Sequence, residues 1–322
     1  TADINSSYPS NMSSESGNRY PVGKPQFWKG EIPNLPDQSY YFVRIKCRFK
    51  IKEGMLPTVQ IKGSFLYIGT DYLTTSDIYD YSSGTYKRYY MRKGELHDTQ
   101  ITMTMTCVDY ELFLQHYDVY DLQVLDGCWF RTEIGLFDEY MYKYKKIKES
   151  SQGAERELAK LYLNNLYGKF SANDSSSYKR PFINNKNVLG FEIIDEHEKK
   201  PGYIAIGSAI TSYARRFVIN AAQANYQGPD RDGFIYCDTD SIHCSGDPKD
   251  AKGIKIHPTN FCAWKLESYW DEAIFVRQKT YIEHVTHNDG EPVEPYYQIR
   301  CAGMSEDAKQ EFELGEMTEL LP

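Results

Sequence analysis

From Phe234 to Cys244 the chain places apolar and small residues on both sides of Asp238-Thr-Asp240, with Gly233 before the run and Gly246 after it. Two short runs flanking turn-forming residues read as a β-hairpin, here with acids at its tip. If the strand continues through the acids, Asp238 and Asp240 leave the same face and their carboxylates crowd together. Such neighbours repel unless a cation lies between them. An Asx-rich turn is the competing reading, because Asp-Thr-Asp-Ser is ordinary turn chemistry, and the tetrapeptide alone leaves both open. Asp3, in the opening Ala-Asp-Ile-Asn-Ser-Ser-Tyr-Pro, also falls where a core strand would end. It could supply a third carboxylate, since a hard cation such as magnesium takes one or two Asp side chains plus phosphates and waters.

A second constellation lies on a helix expected over Ala154 to Phe170. Arg156, Lys160, Asn164 and Tyr167 fall within roughly 80° of arc on a helical wheel, with Lys148 just upstream. Leu158, Leu161, Tyr162 and Leu166 take the opposite side and are expected to anchor the helix in a core. Cations spaced by one turn suit a triphosphate, whose charge is spread over several oxygens. A solvated amphipathic helix would show the same pattern. Lys279-Thr-Tyr281 could set a cation and a ring against one surface if it lies in a strand, though the tripeptide is weak by itself.

Composition bounds the function. With 322 residues, 41% of them hydrophobic, there is material for a full core and more than one subdomain. The 28 Tyr outnumber the 15 Phe and 4 Trp, so many rings carry a hydroxyl able to meet a polar ligand. A net charge of −8 argues against a globally basic nucleic-acid binder, so any such binding must be local. Arg44, Lys46, Arg48, Lys50 and Lys52 alternate and would share one strand face. Lys143, Lys145, Lys146 and Lys148 form a second run; each run is equally consistent with a solvated surface. Seven widely spread cysteines show no zinc-ligand spacing and fit a reducing cytoplasm. No run approaches a membrane span.

Along the chain, residues 15 to 40 read as loop, and Tyr40 to Ile51 pairs with Leu56 to Ile68 around a Lys52-Glu-Gly54 turn. Residues 69 to 99 are turn-rich, Gln100 to Thr106 is a strand and Asp109 to Tyr117 a short helix. Asp109-Tyr-Glu111 superficially resembles an exonuclease Asp-x-Glu, but no partner acids surround it. Its position favours an ordinary acid pair at a helix start. Gly135 to Ile147 and Ala154 to Phe170 form two antiparallel helices. Residues 171 to 202 are polar loop with an apolar run at Val188 to Ile194, and Ser208 to Tyr226 is a further helix.

Taken together, these residues resemble the three polymerase motifs of family B DNA polymerases, in order. Asp3-Ile-Asn-Ser-Ser-Tyr8-Pro9 is similar to motif A, Lys160-Leu-Tyr-Leu-Asn164-Asn-Leu-Tyr167-Gly168 to motif B, and Tyr236-Cys-Asp238-Thr-Asp240-Ser241 to motif C. Gly153-Ala-Glu-Arg-Glu-Leu-Ala-Lys160, Arg277-Gln-Lys279-Thr-Tyr281 and Cys301-Ala-Gly-Met304 narrow the resemblance to the protein-primed, phi29-like phage branch. It covers nearly the whole chain.

That resemblance implies an α+β right-hand fold: an antiparallel palm sheet, helical fingers and a truncated thumb. Residues 1–14 and 203–301 would be palm, 136–171 fingers and 302–322 partial thumb. Residues 15–135 and 172–202 would match the first and second terminal-protein regions. It implies DNA-directed DNA polymerisation with two Mg²⁺ ions, or Mn²⁺, acting on a primer-template and dNTPs, with a terminal protein as priming partner in the cytoplasm of a bacterial host. Asp3 and Asp240 would be the metal ligands and Asp238 a supporting acid. Tyr8 would exclude ribonucleotides, Lys148, Arg156 and Lys160 would meet the phosphates, and Asn164 and Tyr167 would complete the nucleotide site. Lys279 and Tyr281 would steady the primer terminus. Ser7, Asn165 and Arg156 stand where the family has Leu, Ser and Lys, and residues 69 to 106 diverge. An exonuclease domain would precede Asp3, so the chain reads as part of a longer polymerase. Reverse transcriptases and RNA polymerases also carry palm acids, but bulky Tyr8 favours deoxynucleotides. A truncated module that binds terminal protein or primer-template without turnover is the non-enzymatic alternative.

Overall fold

The computed structural model describes residues 1–59, 78–80, 85–87, 89–92, 95–98, 101–172, 178–194, 202–229 and 231–309. In chain order, β1 (Ala2–Ile4), α1 (Ser7–Met12), β2 (Tyr20–Lys29) and β3 (Tyr40–Ile51) open the structure. Four short strands follow, β4 (Ile78–Asp80), β5 (Thr85–Lys87), β6 (Tyr89–Arg92) and β7 (Glu95–Asp98). Next come β8 (Ile101–Thr106), α2 (Cys107–His116), β9 (Tyr117–Glu133), α3 (Asp138–Ser150) and α4 (Gly153–Phe170). The hairpin β10 (Tyr178–Ile183) and β11 (Leu189–Ile194) precedes the long helix α5 (Ile204–Asn225). The final part holds β12 (Phe234–Asp238), β13 (Ser241–Cys244), β14 (Trp264–Leu266), β15 (Ser268–Arg277), β16 (Thr280–Asn288), β17 (Glu291–Cys301) and α6 (Glu306–Lys309).

A four-stranded sheet in the order β12-β13-β1-β14 joins the first residues of the chain to the Asp-Thr-Asp hairpin. It is antiparallel throughout, with Asp3 opposite Ser241 on one side and Lys265 on the other. Ala2, Ile4, Ile242 and Trp264 pack beneath it against Val218, Ala221 and Ala222 of α5. The two Ala of that helix, with Ala209 and Ala214, let it lie close to its neighbours. A second core gathers Met12, Tyr20, Tyr40, Phe137, Met141, Leu163, Ile210 and Tyr213, so α1, α3, α4 and α5 share one interior.

The second large sheet has the order β2-β9-β3-β8. It corrects two expectations. Residues 20 to 29, expected as loop, form an edge strand; Pro21 and Pro25 are tolerated there because one side of an edge strand needs no donors. The expected hairpin partner of Tyr40 to Ile51 is replaced by β8 and β9, both distant in sequence. Residues 56–59 are not strand, and the rest of the expected partner lies outside the described residues. The alternating cations also part company. Bulges on either side of Lys46 break the alternation, burying Arg48 against Asp121 while Arg44 forks onto Asp126. Lys52 donates to the carbonyls of Leu114 and Gln115 at 2.9 and 3.1 Å, at the C-terminal end of α2. This run is therefore largely tied to its own sheet and helix.

The expected helix pair is present as α3 and α4, and the Ala-rich helix as α5. The buried side of α4 differs from expectation. Ala159 and Leu163 are 2% and 1% exposed, while Leu158, Leu161 and Tyr162 are at least half exposed. A two-helix projection meets the body along one narrow seam, so only a strip of α4 is covered. Val188 to Ile194, expected within loop, pairs as β11 with β10. Expectations for 60–77, 173–177, 195–201 and 310–322 lie outside the described residues.

Candidate active site

Gly233 starts the Asp-Thr-Asp hairpin. At φ 118° its missing side chain leaves room for the carbonyl of Asn225, which would stand 2.1 Å from a Cβ. The strand then turns over two residues, with Thr239 at φ 56°, a left-handed conformation that β-branched residues rarely adopt. The turn changes the expected relation of the acids. Asp238 ends β12 and Asp240 lies within the turn, so they do not share the face of a continuous strand. Asp238 meets the Lys279 ammonium at 2.6 Å and receives the Thr239 hydroxyl at 3.0 Å. The Ile4 amide donates to the Asp240 carbonyl at 2.8 Å, which sets Asp240 beside the end of β1 and its Asp3.

Asp3 is the most perturbed acid of the site. Burial, then the Asp240 carboxylate and then Glu267 push its pKa from 3.8 to about 7. Its Oδ1 is buried without a hydrogen-bond partner. Asp240 is also pushed up, by burial first and Asp238 next. Among the described residues no group of three or more His, Cys, Asp or Glu side chains is gathered closely enough to hold a metal. The pair Asp3 and Asp240 nonetheless fits a divalent cation, being two crowded carboxylates, one with an orphaned oxygen, that a positive charge would relieve. Phosphate oxygens and water would have to complete such a shell.

Tyr8, on α1, stacks obliquely on Tyr167 of α4 with ring centroids 4.5 Å apart. Next to it, Ser7 is buried with its hydroxyl unpartnered, where the motif it resembles carries Leu. Lys148, in the last turn of α3, donates to the Ser6 hydroxyl at 3.2 Å. Burial, then Arg156 and then Lys160, hold its amine below the usual lysine value, which places the three cations within one another's field. Arg156, Lys160 and Asn164 are exposed along the same side of α4.

Lys279 was expected in a strand with Tyr281. It lies instead in the turn between β15 and β16 at φ 58°, and its amide donates to the Tyr236 hydroxyl at 2.9 Å. Tyr281 follows in β16, stacked on Phe275 at 5.0 Å and 5.5 Å from Tyr236. Both residues therefore adjoin Tyr236 of the acid hairpin, by backbone in one case and by ring in the other.

A cleft of about 1110 Å³ reaches Tyr8, Asp238 and Lys279, and is lined among others by Asp109, Arg215 and Thr239. Arg215 was not singled out in the sequence. Its guanidinium forks onto Asp109 at 2.8 and 2.9 Å, and Asp109 also accepts from Ser212 and Thr106. Asp109 is thus an anchor at the start of α2, in keeping with the reading of it as a helix-start acid. The Arg215-Arg216 pair in an otherwise apolar helix was the available signal.

The fold and the paired acids define the class: this is the α+β fold of a polymerase. The structure superimposes on phi29 DNA polymerase complexed with primer-template DNA and incoming nucleotide substrates with a TM-score of 0.80, at 35% identity over 98% of this chain and 52% of that one. A second phi29 structure, with primer-template DNA alone, gives a TM-score of 0.79 at 34% identity. The chain is 37% identical over 321 residues to the DNA polymerase of Bacillus phage phi29, covering 96% of this chain and 51% of that protein. It is 36% identical over 314 residues to that of Streptococcus phage Cp-1, covering 96% and 49%. Residues 1–254 match the family DNA polymerase type B, organellar and viral. The chain belongs to that family, and it spans about half the length of the curated relatives it matches.

Proposed function

We propose that this chain is the polymerase part of a protein-primed family B DNA polymerase, performing template-directed transfer of nucleotides from dNTPs. The observation that carries this reading is the placement of Asp3 beside Asp240 through the pairing of β1 with β13, next to a cleft lined by Tyr8, Asp238 and Lys279. The attacking group is a primer 3′-hydroxyl, or a Ser, Thr or Tyr hydroxyl of a terminal protein, and pyrophosphate leaves. Two divalent cations, Mg²⁺ or Mn²⁺, would lower the pKa of the attacking hydroxyl and neutralise the departing phosphate when bound.

The chain's own residues account for the rest. Asp3 and Asp240 are the ligands for those ions, and Asp238, paired with Lys279, supports them. Lys148, Arg156 and Lys160 receive the triphosphate, whose negative charge would relieve their mutual repulsion. Tyr8 closes the space beside the sugar, Tyr167 flanks the incoming base and Asn164 lines the same side of α4. Lys279 and Tyr281 steady the primer terminus. In this reading α3 and α4 are fingers, the sheet of β12, β13, β1 and β14 is palm, and residues 302–322 begin a thumb. Residues 15–135 and 172–202 would be the terminal-protein regions, with action in the cytoplasm of a bacterial host. Among the described residues no helix is long and apolar enough to cross a membrane.

Magnesium-dependent primer extension by this chain, with Asp240→Asn beside it, tests the reading. Extension with dNTPs in preference to rNTPs, reduced by about 10³-fold or more in Asp240→Asn, is expected. Extension unaffected by Asp240→Asn would overturn the metal assignment. Binding of primer-template with no extension would leave a non-enzymatic module.

A further inference from the structure

Behind the acids lies a buried polar node that the reaction does not touch. His243 of β13 and Glu283 of β16 are each 1% exposed, and His243 Nδ1 meets Glu283 Oε1 at 2.8 Å. The Thr1 hydroxyl donates to the same Glu283 oxygen at 2.8 Å, lies 3.0 Å from His243 Nδ1, and accepts from Trp270 Nε1 at 3.0 Å. The tautomer with its proton on Nδ1 donates to Glu283 and leaves Nε2 as a buried acceptor without a partner. Burying a carboxylate is unfavourable unless it is hydrogen-bonded, and His243 Nδ1 and the Thr1 hydroxyl supply those bonds to Glu283.

Sequence spacing gives the node its consequence. Thr1 precedes Asp3 by two residues, His243 follows Asp240 by three, and Glu283 follows Tyr281 by two. In β16 that last spacing puts Tyr281 and Glu283 on one face, towards His243. The imidazole stands edge-on to Tyr281 at 5.0 Å and to Phe275 at 5.4 Å, and 5.5 Å from Tyr236. The β12-β13-β1-β14 sheet and the β15-β16-β17 sheet are separate hydrogen-bonded units. Hydrogen bonds at Thr1, His243 and Glu283 therefore bridge the two sheets directly behind the residues assigned to the metal site and the primer terminus.

We propose that Glu283 and His243 are positioning residues that fix Tyr281 relative to Asp3 and Asp240, so that the primer terminus is presented to the metal site in one register. This rests on the polymerase reading for its functional meaning, but the placement of Tyr281 can be read without it. With 3-fluorotyrosine at position 281, the fluorine resonance of the native chain is expected to be sharp. Glu283→Ala should shift or broaden it, and Glu283→Gln, which keeps the acceptor oxygen, should bring it back. An unchanged resonance in folded Glu283→Ala would overturn the proposal. If that variant does not fold, His243→Asn decides, since it removes the ring edge from Tyr281 while keeping a donor near Nδ1; no change there overturns it equally.

In primer extension, Glu283→Ala should raise the primer-template concentration for half-maximal rate about tenfold while leaving the KM for dNTP within about twofold. In a Tyr281→Ala background the same change should add less than about twofold, because residues acting as one unit are not additive. Equal losses in both backgrounds would reduce the node to general stability and sink the proposal. Absence of extension by the native chain would instead count against the polymerase reading, with the fluorine resonance still deciding the placement.

Discussion

Asp3 shows how a single carboxyl can be read from chemistry and burial together. Its pKa is pushed up to about 7 by burial and by Asp240, so the folded chain holds a proton that the unfolded chain releases near 3.8. The folded state is favoured while that proton is bound. Raising the pH from about 4 through about 7 therefore removes stability, and a further rise removes no more. In metal-free buffer, Asp3→Asn should abolish this part of the pH dependence and raise stability at pH 8 by about 2 kcal/mol, less than the full shift would give because water reaches the site. Thermal unfolding with chelator at several pH values measures it; parallel curves for the native chain and Asp3→Asn would refute it. Adding Mg²⁺ should stabilise the native chain and not the variant, as binding to the folded state alone requires.

Elements obey packing more than periodicity. On α4 the wheel suggests Leu158, Leu161, Tyr162 and Leu166 as the anchor; Leu166 packs partly against the core, yet Leu163 is the large side chain that is fully covered. It packs with Met141 of α3 and with Ile206 and Ile210 of α5. Leu163→Ala should destabilise the chain by about 3 kcal/mol, in the range for a large-to-small change in a core. Leu158→Ala should stay within about 0.5 kcal/mol, as exposed positions do. Chemical denaturation midpoints compare the two, and similar losses at both positions would contradict the packing. The cationic residues Arg156 and Lys160 stay exposed on α4 while Tyr167 is held against Tyr8, which suits a helix that meets a ligand.

At the scale of the molecule, the acid-bearing sheet and the β2-β9-β3-β8 sheet meet across α5. Asp109, at the start of α2, grips Arg215 of α5 in a fork and is joined by Ser212 and Thr106. Burial opposes the charge on Asp109, but Arg215, Ser212 and Thr106 outweigh it and hold the carboxyl below its usual value. Asp109→Ala leaves the Arg215 guanidinium without its counter-charge and the buried Ser212 and Thr106 hydroxyls without their acceptor. It should lower stability by about 1–2 kcal/mol, solvent screening of the exposed guanidinium being allowed for, and separate the unfolding of the two parts. Denaturation followed by the separate fluorine resonances of 5-fluorotryptophan tests this, since Trp28 and Trp129 report on β2 and β9 and Trp264 on β14. Coincident, unshifted transitions would refute it. Arg215 also lines the cleft, so the same pair ties stability to the shape of that cleft.

The sequence by itself determined the family and much of the local structure. Asp-Thr-Asp between apolar runs specified a hairpin with acids at its tip, the polar break at Ser150 to Gly153 specified two helices, and the order of three motifs specified the family. These features are legible because turn residues and helical spacing act over a few positions. Tertiary structure alone decided the rest. The partners of β3 are β8 and β9 rather than its sequence neighbour, since strand pairing is settled by which faces can be buried together. Arg48 is buried because a bulge and Asp121 make that tolerable, which no alternation pattern reveals. Asp238 faces Lys279 rather than sharing a strand face with Asp240, because the chain turns between the two acids. The proximity of Asp3 to Asp240, separated by almost the whole chain, likewise depends on one long-range antiparallel pairing of β1 with β13.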